Sequence, residues 1–117
     1  MKYSIILMLK ATPKWWIMSN DYRKNIFHQH LFPLLATYAE HIHFKVFNAE
    51  PFQAQVSDFF IAETTNLEQY YLFLKEFKAT RLFSNEHFEL NEIVMGAENG
   101  FSEFNQQFSE KKALHLN

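Results

Sequence analysis

The chain has 117 residues, 48% of them hydrophobic, which is enough apolar material for one core and too little for two. A formal net charge of -2 and a pI near 6.3 leave no basic field to draw in phosphates, so no nucleic-acid partner is expected. The absence of cysteine excludes disulfides, thiolate nucleophiles, Fe–S clusters and Cys-ligated zinc, and it fits a reducing, cytoplasmic setting.

The first apolar run, Tyr3 to Leu9, is rich in aliphatic and β-branched residues and stops at Lys10-Ala11-Thr12-Pro13. It reads as a buried strand, because it is short for a signal peptide and ends without a small-residue cleavage site. No apolar run reaches the roughly 20 residues of a membrane span, so no membrane partner is expected. Thr12-Pro13 predicts a capped helical turn with Trp15, Trp16 and Ile17 packed beneath it. A second cap is expected at Ser19, Asn20 or Asp21. From there Ile26, Phe27, His30, Leu31, Leu34, Leu35 and Tyr38 recur at three- and four-residue spacing, the stripe of a helix lying on a sheet. Pro33 predicts a kink or restart near His30 to Phe32.

Ile42 to Phe47 reads as a second strand and Ser57 to Thr64 as a third, joined through Glu50 to Val56 as an antiparallel hairpin. Asn66 then caps a second long helix with Leu67, Tyr70, Tyr71, Leu74 and Phe77 or Lys78 on its inner side. Phe88 to Ala97 forms a long fourth strand. A short aromatic helix, Phe101 to Phe108, is expected to close the fold. The order is βαββαβ, an α+β ferredoxin-like plan with a four-stranded antiparallel sheet, in one domain over 1–108 with a flexible tail at 109–117.

Strand alternation places Tyr3, Ile5, Leu7 and Leu9 on one face of the first strand, and Ile6 and Met8 on the other. Phe60, Ala62, Ile93 and Met95 are grouped with Ile6 and Met8, while Phe59, Ile61, Leu90 and Val94 face oppositely. Both sheet faces then come out apolar, whereas helices in this plan cover only one. The reading that follows is a homodimer, a dimeric α+β barrel in which two sheets pack face to face. The alternative is that the Phe101 to Phe108 helix covers the second face in cis.

Three stretches together resemble the darcynin family of small bacterial proteins: Leu9-Lys10-Ala11-Thr12-Pro13-Lys14-Trp15; Phe52 through Phe59 to Glu63-Thr64; and Phe88-Glu89 through Gly96-Ala97-Glu98-Asn99-Gly100-Phe101. The resemblance implies a ferredoxin-like α+β fold. It carries no assigned activity, and therefore no catalytic residue.

Candidate chemistry is sparse. His41-x-His43 is the best metal-like pair, since alternate strand residues point the same way, but it needs a third ligand such as Glu63, Asp58 or Glu50, and no metal is expected. Lys10, Asp58, Glu63 and Glu98 sit at or near strand ends, where a charge can reach a pocket mouth. Trp15 and Trp16 could stack on a planar ligand or fill the gap under the first helix. Tyr70 and Tyr71 point to different sides of their helix, so at most one lines the interior. The candidate ligand-binding set is Lys10, Trp15, His43, Asp58, Glu63 and Tyr71. With two glycines and no Gly-rich phosphate loop, no nucleotide cofactor is expected. The first functional reading is a homodimer that binds a small aromatic ligand without a cofactor. A cofactor-free monooxygenase- or isomerase-like enzyme and a structural protein-interaction module stay open beside it.

Overall fold

The structure is a computed structural model, and it describes residues 1–52 and 55–98. In chain order it runs β1 (Tyr3–Ala11), α1 (Pro13–Trp16), α2 (Asn20–Ile26), a π-helical turn (Phe27–Leu31), α3 (Phe32–Thr37), β2 (Ile42–Asn48), β3 (Asp58–Thr64), α4 (Leu67–Lys78), α5 (Arg81–Ser84) and β4 (Phe88–Ala97). The strands form one antiparallel sheet in the order β2-β3-β1-β4, the ferredoxin-like arrangement. No helix among the described residues is long and apolar enough to cross a membrane. The expected helix over Phe101 to Phe108 and the tail at 109–117 lie outside the described residues.

Local chemistry explains the punctuation. The Ser19 hydroxyl accepts from the Tyr22 amide and the Asn66 side chain from the Gln69 amide, so both long helical stretches start on satisfied caps. Pro33 sits in the first turn of α3, where its missing amide costs nothing. The π turn just before it absorbs the break, which keeps Ile26, Leu31 and Tyr38 all buried. Thr12 departs from expectation: its hydroxyl does not cap α1 but donates to the Glu86 carbonyl at 2.6 Å. Of the three aromatics and aliphatics expected under that turn, Trp15 alone is buried, while Trp16 and Ile17 face outward.

The register corrects the face assignment. Ile5 pairs with Ala62 and Met95, and Leu7 with Phe60 and Ile93, so these residues lie on the helix-covered face with Ile5 and Leu7 rather than with Ile6 and Met8. Ile6 pairs with Ile61 and Val94, and Met8 with Phe59, which puts those residues on the other, helix-free face. Leu90 keeps its expected place on the Leu9 face. Between Met8 and Leu9 the pairing skips Asn91, and this bulge reverses the parity of β4, turning Leu90 and Phe88 toward the core.

The core lies between the helical layer and the sheet, built on Ile5, Leu7, Leu9, Phe60, Ala62, Tyr70, Phe73, Phe77 and Leu82. In α4 the buried residues are Tyr70, Phe73 and Phe77, not Tyr71, which is 56% exposed. Phe73 stacks on Phe77 at 5.4 Å and meets Phe44 of β2 at 4.8 Å, anchoring α4 across the edge of the sheet. On the helix-free face Ile6, Met8, Phe47, Phe59, Ile61 and Val94 make an apolar centre, with Phe47 and Phe59 stacked at 4.7 Å. Charges flank it: Glu63 is paired with Lys2 at 3.1 Å and with Lys45 at 3.2 Å.

Candidate functional site

The hairpin between β2 and β3 ends in a cluster of bonds that fixes one carboxylate. Buried Ser57 accepts from the Ala11 amide at 2.8 Å, donates its own amide to the Leu9 carbonyl at 2.9 Å, and through its carbonyl takes the Ala49 and Glu50 amides at 2.8 and 2.9 Å. The end of β1 and both arms of the hairpin are thereby tied to one residue. The next residue, Asp58, opens β3 and has the same parity as Phe60, so its side chain is directed to the helix side of the sheet.

There it lines a cleft of about 200 Å³ bounded by α1 and α2 on one side and the ends of β2 and β3 on the other. Trp15, Trp16 and Phe27 give it an aromatic wall, Arg23 and Lys24 a basic one, and Asn48, Glu50 and Asp58 a polar, acidic one. Trp15 is only 3% exposed and is wedged against Phe88 at 4.7 Å, Phe27 at 5.1 Å and the His87 ring at 5.4 Å. Trp16, at 41% exposure, stands at the mouth with the Arg23 guanidinium over its ring at 5.5 Å. Burial raises the Asp58 carboxyl above the usual carboxylate range; a hydrogen bond from Ser57 opposes this and the nearby Glu50 charge adds to it.

Behind Trp15 lies His87, 3% exposed, with Tyr22 edge-on and its hydroxyl 3.4 Å from Nε2. Nδ1 is buried and has no partner among the described residues. Burial lowers the imidazole's pKa, and the Lys14 charge lowers it further. The neighbouring turn is held by Lys14, 2.6 Å from the Glu86 carboxylate, and Glu86 itself takes a left-handed backbone with φ of 57°.

The structure divides the sequence-derived residues. Trp15 and Asp58 line the same cleft. Lys10 points from the helix-free face, opposite Glu89. His43 and Glu63 pair across β2 and β3 on that same face and share a wide hollow with Lys2, His41 and Thr64 at the far end of the sheet. From Asp58 to Glu63 is five residues of strand, about 17 Å. Glu63 is held below the usual carboxylate range by its bonds to Lys2 and Lys45, and among the described residues no three His, Asp or Glu side chains gather as a metal site. Tyr71 lies on the outer side of α4. Sequence reasoning missed Arg23, Lys24, Asn48 and His87. The first two share the turn after the Ser19 cap, a local signal, but only the approach of α2 to the hairpin makes them wall residues.

A family model described as Darcynin, a domain of unknown function, matches residues 2–111. A darcynin homolog of Granulibacter bethesdensis is 23% identical over 99 residues, covering 85% of this chain and 79% of the relative. A darcynin of Chromobacterium violaceum is 28% identical over 78 residues, covering 67% of this chain and 98% of the relative. Among solved structures, chlorite dismutase from Candidatus Nitrospira defluvii in complex with imidazole superposes with a TM-score of 0.70 at 17% identity, over 81% of this chain and 39% of that one. A dimeric chlorite dismutase from Nitrobacter winogradskyi gives 0.68 at 13% identity, over 80% of this chain and 55% of that one. The chain thus spans about two fifths of the first enzyme's length and just over half of the second's, and the likeness is one of fold. By the family match across nearly its whole length, the chain belongs to the darcynin family.

Proposed function

We propose that this protein is a homodimer that binds a small aromatic molecule in the cleft between α1–α2 and the ends of β2 and β3. The observation that carries the reading is the convergence of Trp16, Arg23 and Asp58 on one concave site, charged groups beside an aromatic wall. Pairing is supported by the helix-free face. Its apolar centre needs cover, and its two edges differ in sign: β2 presents His43 and Lys45 there, while β4 presents Glu89 and Glu92. A two-fold partner laid face to face with its axis along the strands brings β2 of one sheet over β4 of the other, and so Lys45 toward Glu92. The fold likeness to a chlorite dismutase named as dimeric supports pairing of copies.

A thermal-shift series with benzoate, phenol, indole and benzoquinone tests the binding. A ligand present at a hundred times its Kd stabilises the folded state by about 2.7 kcal/mol, a rise of several degrees that W16A should abolish. If none of these compounds, nor related quinols, raises the melting temperature, the reading fails.

A second reading is supported by Asp58 in particular. A carboxyl whose pKa is raised beside an aromatic cleft can take or return a proton, the role required of a cofactor-free isomerase- or monooxygenase-like enzyme. His43 cannot assist it, being on the opposite face of the sheet. Exchange of the ring protons of a bound phenol or quinol with deuterated solvent, lost in D58N, is the expected result; exchange unchanged in D58N discards this reading.

A further inference from the structure

The cleft carries charges of both signs that do not neutralise one another. Arg23 and Lys24 belong to α2, and Glu50 and Asp58 to the hairpin side. Among the described residues neither cation has a carboxylate oxygen within 4.0 Å; the close ion pairs are made by Lys2, Lys14 and Lys45. Arg23 is nevertheless held in place. Its terminal nitrogen donates to the Asn20 side chain at 2.9 Å and its plane lies over Trp16, while its Nε is buried with no acceptor among the described residues. Arg23 thus enters the cleft wall with no carboxylate partner among the described residues, and a bound carboxylate would supply one, since Arg presents parallel donors matched to two oxygens.

Ligands with one charge or none use only part of the site: a lone anion also meets Glu50 and Asp58, a lone cation also meets Arg23 and Lys24, and a neutral ring uses the aromatic wall alone. We infer that the ligand of this cleft is a small aromatic zwitterion of the α-amino-acid class, its carboxylate on Arg23, its ammonium toward Asp58 and Glu50, and its ring against Trp16 and Phe27. The volume of about 200 Å³ lies below the roughly 300–1,000 Å³ of sites for drug-sized molecules, which suits a ligand of this size. Placing an ammonium beside Asp58 also opposes the effect of burial on that carboxyl. The inference rests on the cleft being the binding site and adds the charge pattern of what it binds.

Titration calorimetry of the full chain with L-phenylalanine, 3-phenylpropionate and 2-phenylethylamine tests it, because the last two each lack one of the charges. L-phenylalanine should bind at least tenfold more tightly than either. R23Q should weaken L-phenylalanine and 3-phenylpropionate about tenfold and leave 2-phenylethylamine bound as tightly or more tightly; D58N should do the converse, weakening L-phenylalanine and 2-phenylethylamine but not 3-phenylpropionate. Equal or tighter binding of either single-charge compound overturns the zwitterion and leaves the cleft as a site for aromatics. If none of the three binds at millimolar concentration, the zwitterion is overturned, and the thermal-shift series with uncharged rings decides separately whether the cleft binds aromatics at all.

Discussion

Trp15 and Trp16 are adjacent in sequence and have opposite duties, so truncating each in turn separates stability from binding. Trp15 is almost wholly buried and touches three aromatic rings at 4.7 to 5.4 Å. Removing such a ring from a packed interior costs about 3–5 kcal/mol, a large part of the roughly 5–15 kcal/mol that stabilises a domain of this size. At about 4 °C per kcal/mol, W15A should lower Tm by about 12–20 °C. Trp16 is 41% exposed and makes one cation–π contact with Arg23, worth about 0.5–1 kcal/mol at the surface. W16A should therefore cost less than about 6 °C while abolishing the ligand-induced rise in Tm. Thermal unfolding followed by far-ultraviolet circular dichroism reads both without relying on tryptophan emission. W15F, which keeps a ring against Phe27 and Phe88, should fall between wild type and W15A, and it keeps the comparison open if W15A does not fold. Equal losses for W15A and W16A, or ligand response retained in W16A, would refute the division of roles.

Three further expectations follow from charge and packing. Because the folded state raises the Asp58 pKa above its ordinary 3.8, the protonated form favours folding, and that contribution is lost as pH rises through the folded value; D58N should therefore be more stable than wild type at pH 7, with the gap closing toward pH 3.5 in paired urea titrations. The sign is opposite in origin for His87: its folded pKa lies below the ordinary 6.5, so stability is complete above 6.5 and falls as pH drops from there toward the folded value, and H87F should flatten that fall in melting curves taken between pH 7.5 and 5. I61D places a charge at the apolar centre of the helix-free face, opposite Ile6, and light scattering should move from twice 14.0 kDa for wild type to a single 14.0 kDa chain for the variant. A monomeric wild type would reject the pairing outright.

Much of the fold can be read from local chemistry. Aliphatic and β-branched runs mark the strands, Ser19 and Asn66 announce their helices by capping, and Pro33 signals the restart that the π turn performs. What local chemistry cannot supply is register. When both faces of a sheet are apolar, alternation says which residues of one strand go together but not which face of the next strand matches them. Phe60 and Phe59 could exchange roles on pattern alone, and the bulge at Asn91 then reverses Leu90 against Val94. The same ambiguity affects α4, where Tyr70-Tyr71-Leu72-Phe73-Leu74 is apolar all round, so the buried pair Tyr70 and Phe73 is chosen by contact with Tyr38 and Phe44 rather than by period. Of the site, Trp15 and Asp58 are legible because an aromatic after a strand break and an acid at a strand end stand out. His87 becomes a functional candidate only through its contact across the fold with Tyr22, and Arg23 only through the approach of α2 to the hairpin that carries Asn48 and Asp58.

The measurement closest to the central claim is a titration of the isotopically labelled protein with L-phenylalanine followed by amide, indole and guanidinium NMR signals. Shifts concentrated at the Trp16 indole, the Arg23 Nε–H, the Asn48 side chain and the Asp58 amide, with the signals of Phe47, Ile61 and Val94 unmoved, are the expected result. Shifts centred on Phe47, Phe59 and Ile61 instead would mean that the sheet face, not the cleft beneath α1 and α2, receives the ligand.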